Sequence, residues 1–70
     1  MYFKRLKDMR EDRDLTQAQV AKILGMKQQQ YERYENGKNE IPFEHIIKLA
    51  KYYNVSLDYL AELTNEKKAI

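Results

Sequence analysis

Apolar positions along this chain return at intervals of three and four residues, and nowhere do they alternate with polar ones over a strand's length. From Phe3 to about Arg13 they fall at Phe3, Leu6 and Met9, with Leu15 beyond a break, and the residues between are charged. That spacing predicts a helix with one inward face. The pattern restarts in "LTQAQVAKILG". Thr16 is suited to accept a hydrogen bond from an orphan amide at a helix start, and Gln19 stands where its reciprocal capping partner belongs. Val20, Ala21 and Leu24 form the inward stripe, and Gly25 suits the left-handed residue that ends a helix. A third helix from about Gln28 to Glu35 carries Tyr31 and Tyr34 on one side. Eight residues do not hold as an isolated helix in water, so this one depends on packing through those tyrosines.

"ENGKNEIP" then supplies turn residues, with Asn36-Gly37 as a stop and Pro42 near the first position of the next helix. Phe43, Ile46, Ile47, Ala50 and Tyr53 keep the helical period to Tyr53. "NVS" breaks it, and Ser56 caps a last short helix whose apolar positions are Leu57, Leu60 and Leu63. The expectation is an all-α, compact domain of five short helices. It covers residues 1–65, and 66–70 form a short flexible tail.

Composition narrows the chemistry. Seventy residues make one domain, and a chain of that size buries only about 60% of its unfolded surface. Cysteine is absent, which removes disulfide and thiolate chemistry and suits a reducing compartment. No apolar run approaches the roughly 18 residues of a membrane span, and the charged start "MYFKRLKDMRE" lacks a secretory signal's apolar stretch. A cytoplasmic protein without a membrane partner is expected. The single histidine, His45, falls on the side of the fourth helix away from Ile46 and Ile47 and is expected to be exposed. With neither cysteine nor a second histidine, no transition-metal site is expected. There is no nucleophile–base pair and no glycine-rich phosphate loop, so neither an enzyme nor a cofactor is expected. The net charge of +2 and pI near 8.9 permit a polyanionic partner without demanding one.

Charge placement says more. In "TQAQVAKILGMKQQQYERYEN" the small Ala21, the Gly25 corner and the apolar Met26 are what two helices meeting at a steep angle require. The outward face of the third helix is then polar, poor in carboxylates, and carries side chains able to make paired hydrogen bonds. Glutamine can both donate to and accept from the edge of adenine, and arginine can donate twice to guanine.

Taken together, "LTQ", "LG", "YENGK" and "LAKYYNVSLDYL", at their spacings, resemble the helix-turn-helix domain of the Cro and phage-repressor type, the XRE-like family. The resemblance runs from about Leu6 to Leu63. It implies a lambda-repressor-like, five-helix fold, with the helix-turn-helix formed by the second and third helices. The implied activity is transcription regulation, most often repression, by a homodimer that reads operator DNA in the major groove with the third helix. Base reading falls by resemblance on Gln28, Gln29 and Arg33, with Gln30 at the edge. Phosphate contacts fall by resemblance on Gln17, Asn36 and Lys38, and Lys27 joins them from its own place at the groove-facing entrance of the third helix. Arg10 and Glu35 match an ion pair that fixes the third helix to the scaffold. Tyr52, Tyr59 and Leu63 are candidates for the dimer contact.

Asp14 departs from the family, standing where glycine is frequent after the first helix, and Lys27 stands where Ser or Thr usually caps the third. Glu32 places a carboxylate near the reading face, where it repels a phosphate, accepts from cytosine or holds Arg33. Two rivals stay open. One is the antitoxin of a toxin–antitoxin pair, which binds a protein as well as DNA. The other is a protein-interaction module on the same fold.

Overall fold

A computed structural model describes residues 3–61 and 63 of the chain. Among them are five helices: α1 (Arg5–Asp12), α2 (Gln17–Leu24), α3 (Gln28–Glu35), α4 (Phe43–Tyr53) and α5 (Leu57–Leu60). The expected tail at 66–70 lies outside the described residues.

Local chemistry accounts for most boundaries. Thr16 Oγ1 accepts from the Gln19 amide at 3.1 Å, and Gln19 Oε1 accepts from the Thr16 amide at 2.8 Å, closing a capping box at the start of α2. Ser56 Oγ accepts from the Tyr59 amide at 3.0 Å and starts α5. Gly25 ends α2 with φ +72° and leads into the α2–α3 corner. A methyl group built at Gly25 would meet nothing within 4 Å, so glycine is required there for its backbone angle and not for room. Asp14 takes φ +55° in the turn after α1, the left-handed conformation that glycine would adopt more cheaply. α3 starts at Lys27 without any side-chain cap.

The core is one cluster to which every helix contributes: Leu6 and Met9 from α1, Val20, Ala21 and Leu24 from α2, Tyr31 and Tyr34 from α3, and Ile46, Leu49, Ala50 and Tyr53 from α4, with Leu60 from α5. Ala21 is 1% exposed, and its small side chain lets α3 cross α2 closely.

Several positions depart from the sequence expectation. α1 begins at Arg5, so Phe3 precedes the helix and is half-buried against the core. Pro42 sits one residue before α4, as its N-cap. The buried stripe of α4 is centred on Ile46, Leu49, Ala50 and Tyr53, which turns Phe43 and Ile47 to its flank. Phe43 is therefore 64% exposed instead of buried. His45 is half-buried, its ring 6.5 Å from that of Tyr34. α5 ends at Leu60, and Leu63 is exposed.

Two arginines, Arg5 at the start of α1 and Arg13 at its C-cap, join the front of the chain to its last helices. Arg5 donates to the Tyr59 carbonyl at 2.8 Å and lies 4.1 Å above the Tyr59 ring. Arg13 donates to the Tyr53 carbonyl and lies 5.0 Å above the Tyr53 ring. Each guanidinium thus combines an attraction to an aromatic face with a hydrogen bond to a carbonyl at a helix C-terminus, where positive charge is favoured. No helix among the described residues is long and apolar enough to cross a membrane.

Candidate nucleic-acid interface

Eight residues of α3 divide sharply by side. Tyr31, Tyr34 and Glu35 are buried, while Gln28, Gln29, Gln30, Glu32 and Arg33 are exposed. At 100° per residue, Gln29 and Arg33 are neighbours four apart in the middle of the outer face. Gln28 and Glu32 make a second such pair along one edge. Gln30 stands on the opposite edge, where its Nε2 donates to the Tyr34 hydroxyl at 3.1 Å. Its amide is thereby partly committed to the helix that carries it.

What holds this face in place is a polar cluster behind it. The Arg10 guanidinium of α1 donates to both Glu35 oxygens, from Nε at 2.9 Å and from the second terminal nitrogen at 3.0 Å. Its remaining arm donates to the Leu15 carbonyl at 2.8 Å. Gln17, the first residue of α2, donates to Glu35 at 3.3 Å. The Glu35 carboxylate thus ties the end of α3 to α1 and to the start of α2, and Arg10 extends the cluster to the α1–α2 turn. The Glu35 side chain is only 2% exposed and that of Arg10 12%.

Burial pushes the Glu35 carboxyl up. The hydrogen bonds from Arg10, aided by the neighbouring Tyr31 and Gln17, outweigh it and leave the carboxyl below its usual range. The same pairing with Glu35 outweighs burial at Arg10 and raises that guanidinium. Tyr31 is raised by burial and then by the Glu35 carboxylate, although its buried hydroxyl does not reach hydrogen-bonding geometry. Tyr53 is pushed up to about 12, again chiefly by burial.

The remaining candidates surround α3. Lys27 is exposed at its N-terminus, and Asn36 and Lys38 are exposed just past its C-terminus. The Arg33 carbonyl folds that second turn back by accepting from the Lys38 amide at 2.9 Å and the Asn39 amide at 3.3 Å. Lys27 and Lys38 therefore flank the outer face with positive charge and Arg33 adds to it at the centre, against the carboxylate of Glu32. Gln17 is half-buried, with its amide turned to Glu35.

Of the three candidates for a dimer contact, Tyr52 is 48% exposed and its ring stands edge-on to Tyr53. Tyr59 is half-buried beneath Arg5, and Leu63 is 77% exposed. The sequence reading placed Tyr34 on the inner face but missed its side-chain partners, the Gln30 amide on one side and the tilted His45 ring on the other. The four-residue step from Gln30 to Tyr34 was the available signal.

A buried scaffold that offers one polar helix face and a glycine corner before it is the geometry of a helix-turn-helix. The family model described as "Helix-turn-helix" matches residues 6–60. The chain belongs to the helix-turn-helix family. This helix-turn-helix protein is 35% identical over 66 residues to an HTH-type transcriptional regulator of Bacillus subtilis, YobD, a match that takes in 94% of this chain and 59% of that one. It is 35% identical over 68 residues to the cryptic phage CTXphi transcriptional repressor RstR of Vibrio cholerae, covering 97% of this chain and 59% of the repressor. A third relative is the antitoxin PezA of Streptococcus pneumoniae, 38% identical over 56 residues, which are 80% of this chain and 35% of the antitoxin. The helix-turn-helix chain thus spans about three-fifths of the length of the first two relatives.

Proposed function

We propose that this protein is a transcriptional regulator, acting as a repressor, that binds operator DNA by laying α3 in the major groove. The carrying observation is the exposed Gln28, Gln29 and Arg33 on a helix whose other side is buried through Tyr31, Tyr34 and Glu35. Gln29 and Arg33 choose the sequence from the middle of the face, with Gln28 beside them. Each well-made bidentate contact to a base contributes about 1–3 kcal/mol of discrimination. Lys27, Asn36 and Lys38 set the position on the phosphates, a role that carries no sequence information. Gln17 serves first as a brace for Glu35, and the amide end of α2 beside it faces phosphate. Gln30, held by Tyr34, tunes the edge of the face.

The protein works as a homodimer on a near-palindromic site, with half-sites about 34–36 Å apart. A body 30 × 23 × 19 Å in extent suits that spacing when two copies stand side by side. A DNA target also fixes where the protein works, in the cytoplasm beside the chromosome.

Fluorescence anisotropy with the gene's own upstream DNA and a scrambled duplex, at two salt concentrations, tests the reading. The native duplex should bind more tightly, salt should weaken both, and Gln29→Ala or Arg33→Ala should level the difference. Absence of binding to either duplex at low salt would defeat it. The likeness to PezA favours one second reading, an antitoxin that also holds a toxin protein. Its mark would be a stoichiometric partner that copurifies from the native host and is encoded next to this gene.

A further inference from the structure

Gln28, Gln29 and Gln30 all stand exposed on α3, but their amides are held differently. Those of Gln28 and Gln29 meet no hydrogen-bond partner among the described residues. The Gln30 amide does, its Nε2 donating to the Tyr34 hydroxyl at 3.1 Å. Tyr34 is 8% exposed and packed into the core, and the tilted His45 ring of α4 backs it at 6.5 Å. Its hydroxyl is therefore a fixed point at the rim of the outer face.

A free glutamine amide has a donor end and an acceptor end, and by turning over it meets either kind of base edge. At Gln30 the donor end is given to Tyr34, so the acceptor Oε1 is the end left to face outward. We propose that Tyr34 is a positioning residue that makes Gln30 a one-sided reader, selecting a base that presents an amino donor in the major groove. Adenine presents N6 and cytosine N4 there, whereas guanine and thymine present an acceptor oxygen. A phosphate likewise offers only acceptor oxygens. Gln30 therefore belongs with the base readers and not with the backbone contacts of Lys27, Asn36 and Lys38.

The inference rests on the DNA-binding proposal above and adds two things to it. One is the class of base selected at a single position of the site. The other is the residue behind the reader that sets the choice, four positions on and facing the core.

Selection of binding sites from a random-sequence duplex library by the full chain tests it, followed by competition between duplexes that differ at one base pair. Gln30→Ala identifies the position concerned by levelling it. There the wild-type chain should favour adenine or cytosine over guanine or thymine by about three- to tenfold, as one net hydrogen bond gives. Tyr34→Phe keeps the buried ring and removes the hydroxyl, so it should level the same position and leave the rest of the motif unchanged. Adding Gln30→Glu should restore the preference, because a carboxylate presents only acceptors whichever way it turns. Each readout is a ratio between two duplexes, which a loss of folded protein does not alter. A preference for guanine or thymine at that position, or one that survives Tyr34→Phe, overturns the inference and leaves the DNA reading standing. A motif indifferent to Gln30→Ala, or a double variant that restores nothing, overturns it equally. A wild-type chain that enriches no sequence from the library defeats the DNA reading and this inference together.

Discussion

Replacing Arg10 by methionine isolates the Glu35 cluster while keeping the alkyl stem in place. The Glu35 carboxylate would lose two charge-assisted hydrogen bonds, at 2.9 and 3.0 Å, and keep only Gln17 at 3.3 Å. The Leu15 carbonyl would lose its 2.8 Å partner as well. With the carboxylate only 2% exposed, stranding it costs about 3–5 kcal/mol. Small domains hold roughly 0.05–0.15 kcal/mol per residue. For this chain of 70 residues the total is about 3.5–10 kcal/mol, so a single change consumes much of it. At about 4–8 °C per kcal/mol in a domain of this size, the melting temperature should fall by roughly 12 °C or more.

The cost comes from an orphaned charge, so removing that charge should recover it. Arg10→Met/Glu35→Leu should regain at least half of the loss, since an apolar pair can replace a buried ion pair at little cost. Acid should separate wild type from the single variant too. In the wild type, Glu35 has its pKa below the ordinary 4.5, so its contribution is present above that value and lost as pH falls through the lowered one. In Arg10→Met, burial without the arginine raises the Glu35 pKa. Protonation then relieves the strain, and the deficit should shrink as the solution is acidified from neutrality. Thermal and urea unfolding followed by circular dichroism reads all of this. A single variant that melts within about two degrees of wild type, or a double variant no better than the single, would refute the reasoning.

Two further changes test the borders of α2 and α3. Lys27→Ser supplies the N-cap that α3 lacks, and thermal melts should show a gain of about 0.5–2 kcal/mol; an unchanged melting temperature would count against the cap being missing. In DNA titrations the same variant should also show a shallower salt dependence, by about one phosphate contact. Gly25→Ala meets no neighbouring atom, so urea unfolding should report only the left-handed backbone cost of about 1–2 kcal/mol, and a much larger loss would point to a steric role.

Much of the framework was legible because local rules decide it. Thr16, Gln19 and Ser56 mark helix starts through hydrogen bonds within three residues, and Tyr31 and Tyr34 declare an inner face through spacing alone. Features that depend on how helices cross were harder to read. Phe43 fits the period of α4 as well as Leu49 does, and only the docking of that helix decides that Leu49 is buried and Phe43 is not. Arg5 and Arg13 look like ordinary solvated charges in a sequence, since their partners lie 54 and 40 residues away. The outward polarity of Gln28, Gln29 and Arg33 was readable, but not the commitment of Gln17 to Glu35 or of Gln30 to Tyr34.

The grip of Arg5 and Arg13 on the last two helices bears on how the chain is made. During synthesis, α2 and α3 emerge early and already carry the residues of the corner between them. The helix before them, held to α3 through Arg10, lacks its links through Arg5 and Arg13 until the Tyr53 and Tyr59 carbonyls have left the ribosome. A nascent chain stalled short of α5 would hold α3 on an unfinished mount, so the folding of this domain should be complete only once α5 has emerged.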